Sequence, residues 1–174
     1  MSKKLRILII PLDAVGHVNA CTGIAQVLIK SGHKVLFAVN DVWKGKLSKY
    51  GIEEVLFKIE GRDQNSDGAK HWGDVLYPQL GTASNLDKWI QWKHIIKHFI
   101  EDVKKVDQII EQLLPQIRPD IIIIDQIVSL PSVERSGIPW VLSCSCNPLF
   151  ILYDERTPPK FSGESSNILI SILI

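Results

Sequence analysis

Uninterrupted aliphatic runs alternate with segments of helical character along this chain, and this alternation restricts the folds that it can adopt. Such runs are typical of parallel strands that are covered on both faces. We predict five of them, at residues 4–10, 33–39, 53–59, 120–125 and 138–145. Strands and helices in repeated alternation build a parallel sheet with helices on both faces. The predicted fold class is therefore α/β, a Rossmann-like doubly wound parallel sheet with strand order 3-2-1-4-5.

Four segments between and after these runs are predicted to be helical. They are residues 17–31, 41–51, 84–114 and 130–137. In the first, Ile24, Val27 and Leu28 recur at helical spacing, and we expect them to face the core. The longest has apolar residues spaced alternately by four and three, which fits either a coiled-coil seam or an amphipathic helix on a sheet. The α/β alternation favours the second interpretation, with this stripe facing the sheet: Trp92, Ile96, Phe99, Val103, Val106, Ile110 and Leu113.

Two segments fall outside this alternation. Residues 60–82 are rich in glycine, aspartate and asparagine and form a long predicted loop. Loops of this length are usually functional, and the alternative is a disordered excursion. Residues 155–174 form a C-terminal tail that is atypical of such a domain. We expect residues 1–174 to form a single domain.

Charge and hydropathy exclude two classes of partner. The formal net charge is +1 and there is no basic run beyond the first residues, so nucleic-acid binding is not expected. No segment approaches the ~20 apolar residues that span a bilayer, and none has the pattern of a signal peptide. Cys21, Cys144 and Cys146 form no even disulfide set and are interpreted as buried, reduced thiols. A cytoplasmic protein without a membrane partner is expected.

A histidine and an aspartate are predicted to meet where the winding of the sheet reverses. His17 opens the helix after strand 1, and Asp125 follows four isoleucines at the end of strand 4. In open α/β sheets, ligands bind outside the carboxyl ends of the strands at this switch point. Asp125 needs a partner, because an unpaired buried carboxylate is very costly. Each residue alone also has a structural interpretation, His17 in capping or packing and Asp125 as the cap of a following turn.

Together, these two side chains have the chemistry of a general base. The helix macrodipole disfavours an imidazolium at a helix N-terminus and so favours the neutral ring. A neutral imidazole held by a carboxylate can take a proton from a hydroxyl group. We expect His33 to be structural or solvated, and His94 and His98 lack the third ligand of a metal site. The chain has no glycine-rich phosphate cradle, so a nucleotide diphosphate site is not expected within it.

Two separated stretches resemble the UDP-glycosyltransferases, glycosyltransferase family 1 of the two-domain GT-B fold. The stretch "GHVNACTGIAQVLIKSGHKVLFAV" is similar to the start of these enzymes, although Ala20 stands where they usually have proline. Its matching positions are Gly16, His17, Asn19, Gly32, His33 and Val35. "RPDIIIIDQ" followed by "SGIPWVLSCS" resembles the fourth and fifth strands of the same N-terminal domain. The resemblance covers about residues 5–148.

The resemblance implies an inverting transfer of a sugar from a UDP-sugar to a small lipophilic acceptor, the chemistry of detoxification. His17 would be the general base, Asp125 would orient it, and neither a metal nor a cofactor would be bound by this chain. The acceptor pocket would lie between the loop after strand 1, residues 60–82, the start of the long helix and the segment after strand 5. Its candidate residues, each with ordinary packing as the alternative, are Asp13, Gly16, Trp72, Trp89, Asn147, Phe150 and Tyr153.

The donor-binding signature of this family, a His-Cys-Gly segment with a downstream Glu or Asp-Gln pair, does not occur in these 174 residues. The chain is therefore expected to be the N-terminal acceptor half alone, whether as a fragment, a truncated product or an incomplete gene model, with little or no transfer by itself. Two other interpretations stay open. One is a non-catalytic flavodoxin-like module that binds a small molecule or a partner. The other is a subunit that gains its donor domain from a second chain.

Overall fold

The computed structural model describes residues 3–61 and 85–145, with the backbone alone for 85–92 and for 94. Five strands and three helices follow one another in the predicted order, with two short 3₁₀ turns after the second strand. In chain order they are β1 (Arg6–Pro11), α1 (Val15–Lys30), β2 (Lys34–Asn40), the turns Asp41–Trp43 and Ser48–Tyr50, β3 (Glu53–Phe57), α2 (Asn85–Ile117), β4 (Ile121–Asp125), α3 (Pro131–Arg135) and β5 (Trp140–Leu142). Most of the predicted loop 60–82 and the whole tail 155–174 lie outside the described residues.

The strands form one parallel sheet in the order β3-β2-β1-β4-β5, which confirms the predicted fold class and strand order. The chain winds from β1 outward to β3, then crosses back to β4 beside β1. In the register between these two central strands, Pro11 lies opposite Asp125. The switch point of the sheet is therefore at the last residues of β1 and β4.

The aliphatic runs are uninterrupted because both faces of the central strands are buried. Successive side chains point to opposite faces of a strand, so each run supplies two cores. One face packs against α2, and its buried residues include Leu8, Ile10, Leu36, Ile122, Ile124, Val103, Ile110 and Leu114. The other packs against α1, and its buried residues include Ile7, Ile9, Val35, Phe37, Val18, Cys21 and Ala25.

Helix α1 begins earlier than predicted and turns a different face to the sheet. It starts at Val15, so His17 is its third residue rather than its first. The predicted core residues Ile24 and Val27 are exposed, and Val27 keeps 64% of its surface in solvent. The buried face is formed instead by Val18, Cys21, Thr22 and Ala25. Small side chains on this face let the helix lie close to the sheet, which brings its first turn to the end of β1.

Helix α2 lies on the sheet as an amphipathic helix, as predicted, and it extends through Pro115 to Ile117. Five positions of the predicted stripe pack in or against the core: Phe99, Val103, Val106, Ile110 and Leu113. The prediction is wrong for Ile96, which is half-exposed, and the side chain of Trp92 lies outside the described residues. The helix therefore presents its middle and C-terminal turns to the sheet.

Three smaller expectations need correction. The predicted helix 41–51 is two 3₁₀ turns, and the amide of Val42 is capped by the side chain of Asn40. Strand β5 has only three residues, all of them exposed. Cys144 is exposed rather than buried, whereas Cys21 is buried as predicted.

Within the described ranges no helix has the length and apolar character to cross a membrane. The cytoplasmic location stays a prediction.

The contact between α2 and the sheet predicts a large difference between two isoleucines of the same helix. Ile110 is fully buried against the sheet, whereas Ile96 is half-exposed. Ile110→Ala should lower the free energy of unfolding by about 2–5 kcal/mol, because it leaves a cavity in the core. Ile96→Ala, the matched control, should change it by less than about 1 kcal/mol. Chemical denaturation of the three proteins measures both values, and equal losses would contradict this packing.

Candidate active site

The structure brings His17 and Asp125 together at the switch point of the sheet. Asp125 is the last residue of β4, and its backbone carbonyl accepts a hydrogen bond of 2.8 Å from the amide of Leu12, just beyond β1. The chain then enters α1, whose third residue is His17. The Nδ1 atom of His17 lies 3.0 Å from Oδ2 of Asp125. Two side chains that are 108 positions apart in sequence thus form one hydrogen-bonded pair.

The carboxylate of Asp125 is buried and surrounded by hydrogen-bond donors. Its Oδ2 accepts from the hydroxyl of Ser145 at 2.6 Å and the thiol of Cys21 at 3.5 Å, besides facing His17. Its Oδ1 accepts from the backbone amide of Ser145 at 3.0 Å. Burial acts to raise the pKa of Asp125, but the hydrogen bonds from His17 and Ser145 outweigh it and hold this pKa below its usual value. The structure therefore stabilises the ionised form.

This environment determines which ring nitrogen of His17 is available as a base. An ionised carboxylate only accepts hydrogen bonds, so the proton of a neutral imidazole lies on Nδ1, as assigned from the hydrogen-bond network. The lone pair then lies on Nε2, at the opposite edge of the ring. The side chain of His17 keeps 15% of its surface exposed, whereas that of Asp125 keeps 2%. The site thus holds a fixed imidazole with a basic nitrogen directed away from its buried carboxylate.

Ser145 completes a triangle of polar atoms with this pair, but it does not form a hydrolase triad. Its hydroxyl oxygen lies 2.9 Å from Nδ1 of His17 and 2.6 Å from Oδ2 of Asp125. In a serine hydrolase the nucleophilic hydroxyl bonds to Nε2, and the carboxylate bonds to Nδ1. Here the serine and the carboxylate are on the same side of the ring. Ser145 therefore supports the carboxylate and is not activated as a nucleophile.

Sequence reasoning missed Cys21 and Ser145 as members of this site, although the sequence contains a signal for each. Cys21 follows His17 by four positions, so both lie on the same face of α1. Burial, the charge of Asp125 and the hydrogen bond to it all raise the pKa of the Cys21 thiol, which stays protonated as a donor. Ser145 follows β5, which pairs in parallel with β4. The carboxyl ends of adjacent parallel strands meet at one edge of a sheet.

The other predicted site residues have separate outcomes. Oδ1 of Asp13 accepts a hydrogen bond of 2.7 Å from the indole nitrogen of Trp43, so this carboxylate joins the end of β1 to the turn after β2. A Cβ added at Gly16 would meet no neighbouring atom of the described residues within 4 Å, so their packing does not require glycine there. Trp89 lies in the first turns of α2, but its side chain is not described. Trp72, Asn147, Phe150 and Tyr153 lie outside the described residues.

A narrow recess of about 20 Å³ opens at the carboxyl ends of β1, β2 and β3, beside α2. Apolar side chains from β3 and α2 form most of its wall, and Asp13, Asn40, Asp102 and Gln126 add polar groups. Its apolar lining residues include Val39, Phe57, Ile59, Phe99, Val103 and Val106. Gln126 directly follows Asp125, so the recess is at the same edge of the sheet as the histidine and its carboxylate.

The described residues contain no group of three or more His, Cys, Asp or Glu side chains that could hold a metal ion. His98 is exposed on α2. Nδ1 of His33 accepts a hydrogen bond of 3.2 Å from the amide of Leu5, which gives that histidine the structural role expected for it. Among the described residues, the basic atom at the switch point is Nε2 of His17, whose Nδ1 faces Asp125.

Comparison with solved structures identifies the fold. No family model matches the chain, and no curated protein matches it. The glycotransferase of kitacinnamycin superposes with a TM-score of 0.57 at 16% identity, over 83% of this chain and 31% of that one. A spinosyn rhamnosyltransferase in complex with spinosyn aglycone gives 0.55 at 16% identity, over 81% and 34%. A glycosyltransferase from Glycyrrhiza uralensis gives 0.53 at 14% identity, over 80% and 28%.

These likenesses show that the chain has the Rossmann-like fold found in GT-B glycosyltransferases, as the sequence resemblance predicted. The chain spans about a third of the length of the solved structures that it matches. At this level of identity the likeness shows the fold alone.

The hydrogen bonds to Asp125 predict a specific acid dependence of stability. A carboxyl group whose pKa is lower in the folded state stabilises the fold fully above its unfolded pKa of about 3.9, and this contribution is lost as the pH falls through the lower folded value. Wild-type stability should therefore fall with pH below about 4. Asp125→Asn should be less stable at pH 7 and should show a flatter decline in acid.

Denaturation at a series of pH values, from 7 down to about 2, tests this prediction. Asp120, at the start of β4, is exposed, and the backbone amide of Arg6 lowers its pKa. Asp120→Asn is the comparison variant: it should also flatten the decline, but it should leave the ring signals of His17 unchanged. Parallel acid curves for wild type and Asp125→Asn would show that folding does not lower the pKa of Asp125.

Proposed function

We propose that this domain is the acceptor-binding part of an inverting glycosyltransferase that takes its sugar from a UDP-sugar. His17 is the general base for the acceptor hydroxyl, and Asp125 orients and stabilises it. The observation that carries this proposal is the contact of 3.0 Å between Nδ1 of His17 and Oδ2 of a buried, ionised carboxylate. That contact leaves Nε2 as the basic atom at the switch point of the sheet. The likeness of fold to glycosyltransferases supports the same reaction class.

The proposed reaction is a single displacement at the anomeric carbon of the sugar. Nε2 of His17 takes the proton of the acceptor hydroxyl as the acceptor oxygen attacks that carbon. The bond from the anomeric carbon to the phosphate oxygen breaks, UDP leaves with the electron pair, and the configuration of the carbon is inverted. The imidazolium that forms is stabilised by the negative charge of Asp125, 3.0 Å away. A base placed in this way contributes about 10²- to 10⁴-fold in rate.

The recess beside α2 holds little more than one water molecule, and we propose that it forms one wall of a site for a lipophilic acceptor. Phe57, Ile59 and Phe99 line it with apolar surface, and Asp13 and Gln126 bring polar groups toward the edge where His17 lies. Small-molecule sites usually combine apolar walls with a few polar groups in a volume of about 300–1,000 Å³, so further residues would have to complete this one. The spinosyn rhamnosyltransferase was solved with its aglycone and also with thymidine diphosphate. We infer a small acceptor with a hydroxyl group in this domain and a nucleotide-linked sugar as its donor.

These 174 residues have no phosphate cradle and no donor-binding signature, so we propose that a separate domain holds the donor. Glycosylation of a small apolar compound raises its solubility, so we place the activity in detoxification in the cytoplasm.

A non-catalytic binding module would use the same recess, but it would not depend on the base at Nε2. Replacement of His17 therefore separates the two functions.

Removal of the base should abolish most of the transfer. We would fuse this chain to the sugar-nucleotide-binding half of a glycosyltransferase of the same fold and measure transfer from UDP-glucose to a phenolic acceptor. His17→Ala should lower kcat by about 10²- to 10⁴-fold with little change in acceptor affinity. His98→Ala, an exposed histidine of α2, is the matched control and should keep full activity. Undiminished transfer by His17→Ala would refute the proposed base.

The apolar wall of the recess predicts where acceptor affinity arises. Phe99 lines the recess, and its neighbour Ile100 is exposed on the same helix. Phe99→Asn should raise the Kd of a phenolic acceptor by roughly 10-fold, because it removes apolar contact worth about 1–3 kcal/mol. Ile100→Asn should leave the Kd unchanged. Titration calorimetry with the chain alone measures both, and equal affinities would place the acceptor elsewhere.

A further inference from the structure

We propose that Ser145 is a positioning residue that fixes the Asp125 carboxylate and, through it, the ring of His17 in the orientation that general-base catalysis requires. This inference rests on the proposed function for its catalytic meaning, whereas the geometry behind it is independent of any substrate. It adds a third element to the site, because Ser145 follows β5, whereas Asp125 ends β4 and His17 belongs to α1.

Ser145 contacts both oxygens of the carboxylate. Its backbone amide donates to Oδ1 at 3.0 Å, and its hydroxyl donates to Oδ2 at 2.6 Å. The terminal torsion of an aspartate is broad, so a single contact would leave the carboxylate free to rotate. Two donors from one residue, one on each oxygen, prevent that rotation. One oxygen of the carboxylate is thereby held 3.0 Å from Nδ1 of His17.

The positions of the protons between Ser145, Asp125 and His17 support the same positioning role for Ser145. The hydroxyl of Ser145 has a single proton, and the shorter of its two contacts is the one to Oδ2. Its oxygen then faces Nδ1 of His17 with a lone pair, at 2.9 Å. Nδ1 therefore meets two acceptors, Oδ2 and the serine oxygen, and a proton on Nδ1 satisfies both. A ring with its proton on Nε2 would instead place the lone pair of Nδ1 against a carboxylate oxygen.

The sheet holds Ser145 in this position. The amide of Ser143 donates to the carbonyl of Ile124 at 2.7 Å, which extends the pairing of β5 with β4 beyond Leu142. Two residues later, Ser145 lies beside Asp125. Within the described ranges, the titratable groups in contact with Asp125 are His17 and Cys21, both from α1. The thiol of Cys21 is a weak donor at 3.5 Å to Oδ2 alone, so it does not replace the two contacts of Ser145.

The test uses Ser145→Ala, Ser145→Thr and, as matched control, Ser143→Ala in the 174-residue chain, observed by NMR. Alanine keeps the backbone amide but removes the hydroxyl, whereas threonine keeps both. In Ser145→Ala the ¹³C carboxyl signal of Asp125 should titrate at a higher pH than in wild type. The ¹⁵N signals of the His17 ring should move toward the average of the two tautomers. Ser145→Thr should restore both signatures, and Ser143→Ala should leave them as in wild type.

In the fusion enzyme, Ser145→Ala should lower kcat by up to about 100-fold with KM values for both substrates unchanged, because the base is present but misaligned. Unchanged NMR signatures in Ser145→Ala would overturn the inference. So would a rise in the donor KM with kcat unchanged, which would make Ser145 a substrate contact. Ser145→Cys, which keeps the size but weakens the donor, gives the same readouts if the alanine variant does not fold.

The two proposals can fail separately. If wild-type fusion enzyme transfers no sugar although Ser145→Ala changes the ring signals of His17, the proposed function is wrong and the positioning role stands. If transfer depends on His17 but Ser145→Ala leaves the signals of Asp125 and His17 unchanged, the function stands and the positioning role is wrong.

Discussion

The site depends on one buried negative charge at the end of an aliphatic strand. Asp125 follows four isoleucines and is 1% exposed, so its carboxylate has lost almost all contact with water. An uncompensated charge in that position would cost several kcal/mol. The compensation comes from α1 through His17 and Cys21 and from the end of β5 through Ser145. Helix α1, strand β4 and the end of β5 therefore meet at this carboxylate. The hydrogen bonds that compensate its charge also fix the position of the imidazole ring.

The sheet and the meeting of His17 with Asp125 follow from features that a single sequence contains. Uninterrupted runs such as residues 121–124 fit only strands buried on both faces, and the β-α order then leaves few topologies. In the strand order that results, β1 and β4 are neighbours, so the residues after them meet regardless of the exact register. A charged residue at the end of such a run is also conspicuous. The expectation for His17 and Asp125 therefore required only topology and the cost of burial.

The remaining details depend on tertiary contacts that a pattern of apolar residues does not contain. Helix α1 turns small residues toward the sheet and leaves Val27 exposed, so the most hydrophobic stripe was the wrong guide to its buried face. The start of α1 at Val15 depends on how the chain leaves β1. The N-cap residue is Ala14, whose side chain forms no capping hydrogen bond. Ser145 carries no charge, and its place beside Asp125 depends on where the three-residue strand β5 ends, which the aliphatic pattern does not show.

In the proposed reaction, this domain supplies the groups that act on the acceptor. Deprotonation of an acceptor requires a base, an orienting carboxylate and a surface that binds the acceptor. His17, Asp125 and the recess beside α2 lie in the same described domain. Departure of a nucleotide diphosphate requires compensation of negative charge, and the aspartate at the switch point would oppose it. A buried carboxylate that stabilises a developing imidazolium is therefore best placed away from the leaving group. In the proposed displacement, Asp125 would therefore lie on the side of the acceptor.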